Sequence, residues 1–315
     1  MIPENNKDLR RTLKGYLLVA LRGMGMGAAD VVPGVSGGTI AFITGIYEEL
    51  VNSIKSFDLE AARQLFTGRW VSLWKKINGN FLLAVFAGIF ASVLSLARLL
   101  EHLLDHHPIM IWSFFFGLVL ASSYVVSRKI SRWEYVKVVA LVGGVGIAFY
   151  ITSVTPTTTT NAAWFVIFSG GLASCAMILP GISGSFILLL LGKYTFALQA
   201  VNERNLMNLA LLGMGAVIGL ILFAKLLSWL LKKYHDITIA VLVGFMIGSL
   251  NKIWPWKETL ETILVEGRLR PLVEKNILPA PAAAEDQFWI ALLMMAAGIA
   301  LILLIELVLP KSREQ

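Results

Sequence analysis

The amino-acid sequence predicts an all-α polytopic membrane protein, an inverted-topology repeat of six transmembrane helices and two re-entrant helical hairpins. The first observation is composition: the 315 residues are 57% hydrophobic and 15% charged, with a mean hydropathy of +0.74. Soluble domains carry roughly 25% charged residues, so this chain has too few charges to cover a surface in water. The second is a helix-breaking phrase that occurs twice, VPGVSGGT at Val32–Thr39 and LPGISGSF at Leu179–Phe186. The third is a residue match between the two halves of the chain.

Six apolar runs predict the membrane spans, and most of them approach or exceed the roughly 17–25 apolar residues that cross a bilayer. They are Phe81–Leu100, Ile109–Val126, Val138–Val154, Asn208–Leu231, Ile237–Leu250 and Phe288–Leu309. An earlier apolar run, Gly15–Ala20, follows basic residues as a secretory signal would, but Arg22 interrupts it and no convincing cleavage site follows. We therefore expect a retained membrane segment there.

The two halves of the sequence align with each other. One constant shift superposes six residues: Pro33 on Pro180, Gly34 on Gly181, Ser36 on Ser183, Gly37 on Gly184, Gly45 on Gly192 and Tyr47 on Tyr194. A second, shorter shift aligns Gly88 with Gly215, Arg98 with Lys225 and Gly117 with Gly244. The two shifts differ because the first half contains an extra stretch of polar loop around Lys55–Lys76. The sequence thus predicts two repeats, residues 1–155 and 156–315.

Each repeat is expected to begin with a re-entrant hairpin, about 16–54 in the first and about 163–201 in the second. The N-terminal tail is basic, as are Lys55–Lys76, Arg128–Lys137, Lys232-Lys233 and Lys311–Arg313. With re-entrant hairpins all these segments fall on one side, which the positive-inside rule makes cytoplasmic, with both termini. Three spans per repeat then invert the second repeat and place the Asn251–Gln287 loop outside. Ten full spans fit the charges as well.

The twice-occurring breakers are candidate anion sites. A broken membrane helix exposes unpaired backbone amides and a positive dipole end, which suit a phosphate. The candidate phosphate ligands are Ser36, Gly37, Gly38, Thr39, Ser183, Gly184 and Ser185, with Pro33, Gly34, Pro180 and Gly181 as the structural breakers. The alternative is a kink that only lets neighbouring helices pack. Duplication in two halves favours the binding site.

Ionisable residues at membrane depth are the next candidates, because a buried unpaired charge costs several kcal/mol. Arg22 is a candidate phosphate ligand, and Asp30 a candidate proton acceptor or a partner of Arg22. Eight residues separate them, about 12 Å along a helix, so direct pairing is not expected. Arg98 and Lys225 are candidate headgroup ligands from opposite faces, with snorkelling to the lipid headgroups as the alternative.

Other features suggest little chemistry. We interpret Glu48 and Glu49 as a solvated loop edge, and Lys193 as a headgroup ligand or a helix cap. His102, Asp105, His106 and His107 resemble a metal site, but a short loop without cysteine is more typical of interfacial histidines. No Walker loop, G-x-S-x-G or H-E-x-x-H motif occurs, so we expect no enzyme, no metal and no cofactor. The net charge of +7 is explained by basic loops, without a nucleic-acid partner.

With these motifs in place, the chain resembles the bacterial PopT-type polyprenyl-phosphate transporters, formerly a domain of unknown function. The resemblance lies in DVVPGVSGGT from Asp30 to Thr39, the following GIYE, and LPGISGS from Leu179 to Ser185. It implies a flippase that returns undecaprenyl phosphate from the outer to the inner leaflet of the cytoplasmic membrane for cell-wall and surface-polymer synthesis. The second copy departs from the first: Ser185 and Phe186 replace Gly38 and Thr39, and nothing matches Asp30.

The physics of the substrate agrees with this resemblance. A lipid phosphate needs a polar cradle that opens sideways to lipid, whereas its tail needs no shielding. We expect the halves to rock against each other, with a proton or sodium gradient acting through Asp30. The sequence leaves open a homo-oligomer. It also leaves open a small-anion channel or exchanger, which likewise uses paired helix N-termini, and a membrane enzyme that acts on lipid phosphates.

Overall fold

The computed structural model describes residues 11–32, 35–265, 268–279 and 285–308. Over these residues the chain is mostly helical. The helices are α1 Leu13–Val31, α2 Gly37–Ile43, α3 Tyr47–Lys55, α4 Leu59–Phe66, α5 Trp70–Lys76, α6 Gly79–His106, α7 Pro108–Ser127, α8 Tyr135–Ser153, α9 Ala163–Ile178, α10 Gly184–Leu190, α11 Tyr194–Asn202, α12 Leu206–Lys233, α13 His235–Ser249 and α14 Glu285–Val308. Between α13 and α14 lie two strands, β1 Lys257–Val265 and β2 Arg268–Asn276.

The predicted polytopic membrane protein is confirmed. Five of the six predicted spans, α6, α7, α8, α12 and α14, are long and apolar enough to cross a bilayer. The sixth, α13, is a shorter apolar helix of 15 residues. Many of their apolar side chains face outward, as lipid contact requires. The basic segment Lys311–Arg313 and most of the basic N-terminal tail lie outside the described residues.

Each predicted hairpin contains three helices rather than two arms. In the first, α1 is followed by the break, α2, a turn at Gly45, and α3; in the second, α9 is followed by the break, α10, a turn at Gly192, and α11. Gly45 and Gly192 have φ of +74° and +64°, a left-handed conformation that favours glycine. In the second hairpin α10 and α11 meet at 107°. After the second break, the chain therefore runs through about two helical turns of α10 and then changes direction.

Helices pair in the same way in the two halves. α1 packs against α6 as α9 packs against α12, and α7 pairs with α14 as α13 pairs with α8. A side-chain carbon added at Gly88 would lie 1.9 Å from the carbonyl oxygen of Ala20, and one added at the aligned Gly215 would lie 1.9 Å from that of Ile167. Small residues allow such close helix crossings in membranes. These contacts support the internal repeat, which stays a prediction.

The long loop Asn251–Gln287, predicted to lie outside, contains the β-hairpin. β1 and β2 are antiparallel, with Lys257 opposite Asn276 and Thr259 opposite Glu274. Most residues of β1 are charged or β-branched, and β-branched residues favour strands. The all-α prediction therefore holds for the membrane part, and the structure adds one small sheet outside the spans.

Candidate functional site

The two helix breaks lie in direct contact with each other. The Ser36 hydroxyl donates to the carbonyl oxygens of Leu179 at 3.1 Å and Met177 at 3.3 Å. In return, the Gly181 amide donates to the Thr39 hydroxyl oxygen at 3.0 Å. The Tyr47 hydroxyl adds a bond to Ile178 O at 3.1 Å. Side chains of the first hairpin therefore satisfy backbone groups that the second break leaves unpaired.

The hydroxyls predicted to bind phosphate are largely engaged by the protein. Ser36 and Thr39 are fully buried, and Ser183 is nearly so. Ser183 Oγ accepts from the Phe186 amide at 3.2 Å and lies 2.8 Å from Ser185 Oγ. Of these four residues, Ser185 alone is exposed. In this conformation the two breaks form a closed contact between the halves.

The glycines of the breaks permit this close packing. A side-chain carbon at Gly38 would lie 2.6 Å from Ile178 O, and one at Gly184 would lie 2.6 Å from Ala173 O. Pro180 and Gly181 lie in the second break, since α9 ends at Ile178 and Ser183 caps α10. Pro33 and Gly34 lie outside the described residues. The small residues thus allow backbone segments to pack directly against each other at the breaks.

Asp30 lies near the end of α1, and its carboxylate is at the start of α2. Its Oδ1 accepts a hydrogen bond from the Gly37 amide at 2.7 Å, and the Ser36 hydroxyl caps the Gly38 amide at 3.1 Å. The dipole end that the sequence assigns to phosphate therefore already faces a carboxylate of the protein itself. Asp30 and Arg22 form no ion pair within the described part of the chain, as the helical spacing predicts.

Arg22 lies in an apolar groove of about 490 Å³ between α1, α2, α7 and α14. Its Nε is buried and has no hydrogen-bond partner among the described residues. Apolar side chains such as Ile40, Phe114, Leu118 and Ile302 line the groove. Leu18, Leu21 and Leu304 at its edge are 49%, 60% and 57% exposed, so the groove opens sideways between α1 and α14.

A charged cluster lies near this groove. Arg11 binds Glu49 through two hydrogen bonds of 2.8 and 2.5 Å, and Asn78 Nδ2 donates to Glu49 at 2.9 Å. The prediction that Glu49 is a solvated edge is therefore wrong, because the spacing of residues in α3 turns it toward the start of α1. Glu48 is exposed, and its Oε1 lies 3.3 Å from His235 Nε2.

Arg98 and Lys225 are not brought to the breaks. Both side chains are exposed on α6 and α12, and neither makes a hydrogen bond or ion pair with the residues that the structure describes. Lys193 is buried, where Nζ donates to Thr159 O at 3.1 Å and Asn161 Oδ1 at 2.6 Å. It thus ties the second hairpin to the preceding segment. In the described ranges, no group of three histidine, cysteine or acidic residues could hold a metal ion.

Sequence reasoning missed the walls of the groove. Phe114, Leu118, Leu301 and Ile305 occur within apolar spans, where composition alone does not separate a groove wall from a lipid-facing surface. The one signal in the sequence is Arg22, a charge within an apolar segment. It indicated a site without indicating the neighbouring helices.

Comparison with known proteins agrees with the motifs. Residues 26–268 match the family VCA0040-like, described as undecaprenyl phosphate translocase-like. A Vibrio cholerae protein named polyprenyl-phosphate transporter is 45% identical over 296 residues, 92% of this chain and 96% of its own. A Staphylococcus aureus protein of the same name is 34% identical over 258 residues, 75% of this chain and 85% of its own. No solved structure matches the chain significantly. The resemblance is therefore confirmed, and the chain belongs to the undecaprenyl phosphate translocase-like family.

Proposed function

We propose that this protein is a flippase that returns undecaprenyl phosphate from the outer to the inner leaflet of the bacterial cytoplasmic membrane. Its relatives are named polyprenyl-phosphate transporters, so the chain is a membrane transporter of polyprenyl phosphate rather than an enzyme. The observation that carries the finer proposal is the groove with Arg22. It combines one cation with apolar walls and a sideways opening.

This combination matches the two parts of a lipid phosphate. The guanidinium binds phosphate through charge-assisted hydrogen bonds, and Nε is a donor without a partner in the described part of the chain. The opening between α1 and α14 lets the polyprenyl tail remain in surrounding membrane lipid while the headgroup moves. A water-filled route for small anions needs no such sideways opening. The groove therefore favours a lipid substrate.

The paired breaks are proposed as the barrier that the headgroup crosses. Ser36, Thr39 and Gly181 hold the two hairpins together in the present conformation. Rocking of the halves frees these groups, together with Gly37, Gly38, Ser183, Gly184 and Ser185, to bind phosphate in transit. Arg98 and Lys225 then offer cations nearer the two membrane faces.

Asp30 is proposed as the coupling residue. Its carboxylate already accepts the Gly37 N–H, and a phosphate bound at the same amide brings a second anion into one low-dielectric site. Uptake of a proton by Asp30 removes this repulsion. Phosphate transfer and proton transfer are thereby linked, and a sodium ion beside the carboxylate is the alternative.

The proposed topology has re-entrant hairpins, inverted repeats and cytoplasmic termini. The basic segments between the spans and the 107° bend between α10 and α11 support it. The physiological role is to recycle the lipid carrier for peptidoglycan and other envelope polymers.

A transport assay tests the proposed function. Labelled undecaprenyl phosphate is placed in the outer leaflet of proteoliposomes, and its movement is compared with fluxes of chloride and inorganic phosphate. Lipid movement that depends on the protein and on an imposed gradient supports the flippase. Movement of the small anions without the lipid establishes the channel or exchanger instead.

A further inference from the structure

A second, polar pocket of about 240 Å³ lies where the β-hairpin meets the end of α8 and the start of α10. In the proposed topology this is the outer side. Among the described residues that line it are Lys252, Lys257 and Lys275, together with a single carboxylate, Glu274. Three ammonium groups against one carboxylate make the pocket electropositive.

The two inner lysines converge on one point. Lys252 Nζ lies 3.1 Å and Lys257 Nζ 3.4 Å from the same atom, Glu274 Oε2. The Lys257 side chain is 7% exposed, and its Nζ lies 4.0 Å from the centre of the Trp112 ring. Burying an ammonium group this deeply is costly unless an anion compensates it. A shared carboxylate only partly compensates two cations.

The pocket also adjoins the second break. Phe186 lines it, and Lys252 Nζ lies 5.2 Å from the centre of its ring. The amide of the same residue is held by Ser183 Oγ. The second half has Ser169 and Met177 where the first has Arg22 and Asp30. The lysines near the second break therefore come from the segment between α13 and α14, which contains the β-hairpin.

We propose that the pocket formed by Lys252, Lys257 and Glu274 binds a phosphate monoester anion on the outer side of the membrane. The anion takes the hydrogen bonds that the two lysines now give to Glu274. The identity of this anion as the lipid headgroup rests on the proposed function, and free phosphate offers the same chemistry. The pocket then captures the headgroup beside the second break before the barrier opens.

The charges around Lys257 predict a pH dependence. Burial lowers the pKa of Lys257 to about 8, against the raising effect of Glu274, while Lys252 lowers it further. Burial raises the pKa of Glu274, but Lys257 and Lys252 outweigh burial and keep it below its usual value. A phosphate monoester has its second pKa near about 6, so its own charge is constant above neutrality. Binding therefore weakens as pH rises through the pKa of Lys257.

Thiol protection tests the pocket itself. Thr155 lines the pocket and is exposed, so a Thr155→Cys, Cys175→Ser protein in liposomes reports on occupancy through its reaction with a membrane-impermeant maleimide. We expect geranyl phosphate to slow this reaction, and geraniol, which lacks the phosphate, to leave it unchanged. The double variant Lys252→Gln, Lys257→Gln loses both lysine hydrogen bonds. Its protection should therefore be weaker by about tenfold or more. Arg69→Gln, Lys75→Gln removes two exposed positive charges at α5 and is the matched control.

Further comparisons distinguish free phosphate from the lipid headgroup as the bound anion. Equal protection by inorganic phosphate assigns the pocket to free phosphate, and protection by geranyl phosphate alone assigns it to the lipid. Lys257→Arg keeps the positive charge and should retain protection. Its retention would show that the glutamine variants lose protection through loss of charge and not through misfolding. Equal protection by geraniol, or full protection in the double glutamine variant, would overturn the proposal. Because leaflet transport is measured separately, protection without transport refutes the flippase, and transport without protection refutes the pocket.

Discussion

Replacing Arg22 with methionine tests the groove most sharply, because binding of the lipid phosphate should weaken while the stability of the fold should stay the same or rise. Arg22 is the cation among the residues lining the groove, and its Nε has no partner in the described chain. A hydrogen bond to a charged group contributes about 1.5–3 kcal/mol. Its loss should therefore weaken prenyl phosphate binding by about ten- to a hundredfold.

Stability should not fall with the same substitution. A buried polar atom without a partner costs about 1–3 kcal/mol, and Arg22→Met removes that cost. Methionine is flexible and fills the apolar space that the arginine stem occupies now. The unfolding temperature is therefore expected to stay the same or to rise.

Calorimetric titration with farnesyl phosphate measures the binding, and thermal unfolding in the same detergent measures the stability. The titration uses the Lys252→Gln, Lys257→Gln background, so that the outer pocket does not contribute. Arg63→Met, which removes an exposed cation from α4, is the matched control and should bind normally. Normal binding by Arg22→Met, or its clear destabilisation with unchanged affinity, would refute the reasoning and make Arg22 a structural residue.

Three further predictions address coupling, packing and pH. Asp30→Asn keeps an oxygen that accepts the Gly37 amide but cannot take up a proton, so gradient-driven transport in liposomes should be lost while the fold is kept. Gly88→Ala places a carbon 1.9 Å from Ala20 O and should destabilise by about 1–3 kcal/mol in thermal or denaturant unfolding. Geranyl phosphate protection of the outer pocket should weaken between pH 7 and 9 as Lys257, with a pKa of about 8, loses its proton.

Each of these has a contradicting result. Full gradient dependence in Asp30→Asn removes the carboxylate from the coupling mechanism. Gly213→Ala, whose added carbon meets nothing within 4 Å, is the control for Gly88→Ala, and equal stability of the two variants would show that the α1–α6 crossing is not tightly packed. Protection that is constant over this pH range would remove Lys257 from the pocket's charge balance.

Much of the fold follows from the sequence, because the bilayer imposes strong constraints. Apolar length predicts the spans, and the repeated proline and glycine predict the two breaks. The contact between the breaks is what the predicted inverted repeat leads one to expect, since such repeats place equivalent segments side by side. The β-hairpin was missed because its charged residues and Pro271 interrupt the apolar pattern that predicts a strand.

The site was predictable only in part. The charges of Arg22 and Asp30 stand out in apolar segments, but their partners depend on tertiary contacts that no local pattern contains. The glycines of the breaks were predicted as phosphate ligands, whereas in the structure they make room for opposing backbone, as at Gly38 against Ile178. Glu49 illustrates the same limit, since its partner Arg11 lies far away in sequence.

The leaflet distribution of undecaprenyl phosphate in proteoliposomes tests the central claim most directly. Its rate of movement between leaflets is compared for the unmodified protein, Arg22→Met and the control Arg63→Met. The proposed mechanism predicts rapid movement with the unmodified protein and the control, and movement slowed about tenfold or more by loss of the Arg22 hydrogen bond. Movement at the protein-free rate with the unmodified protein, or at full rate with Arg22→Met, would contradict it.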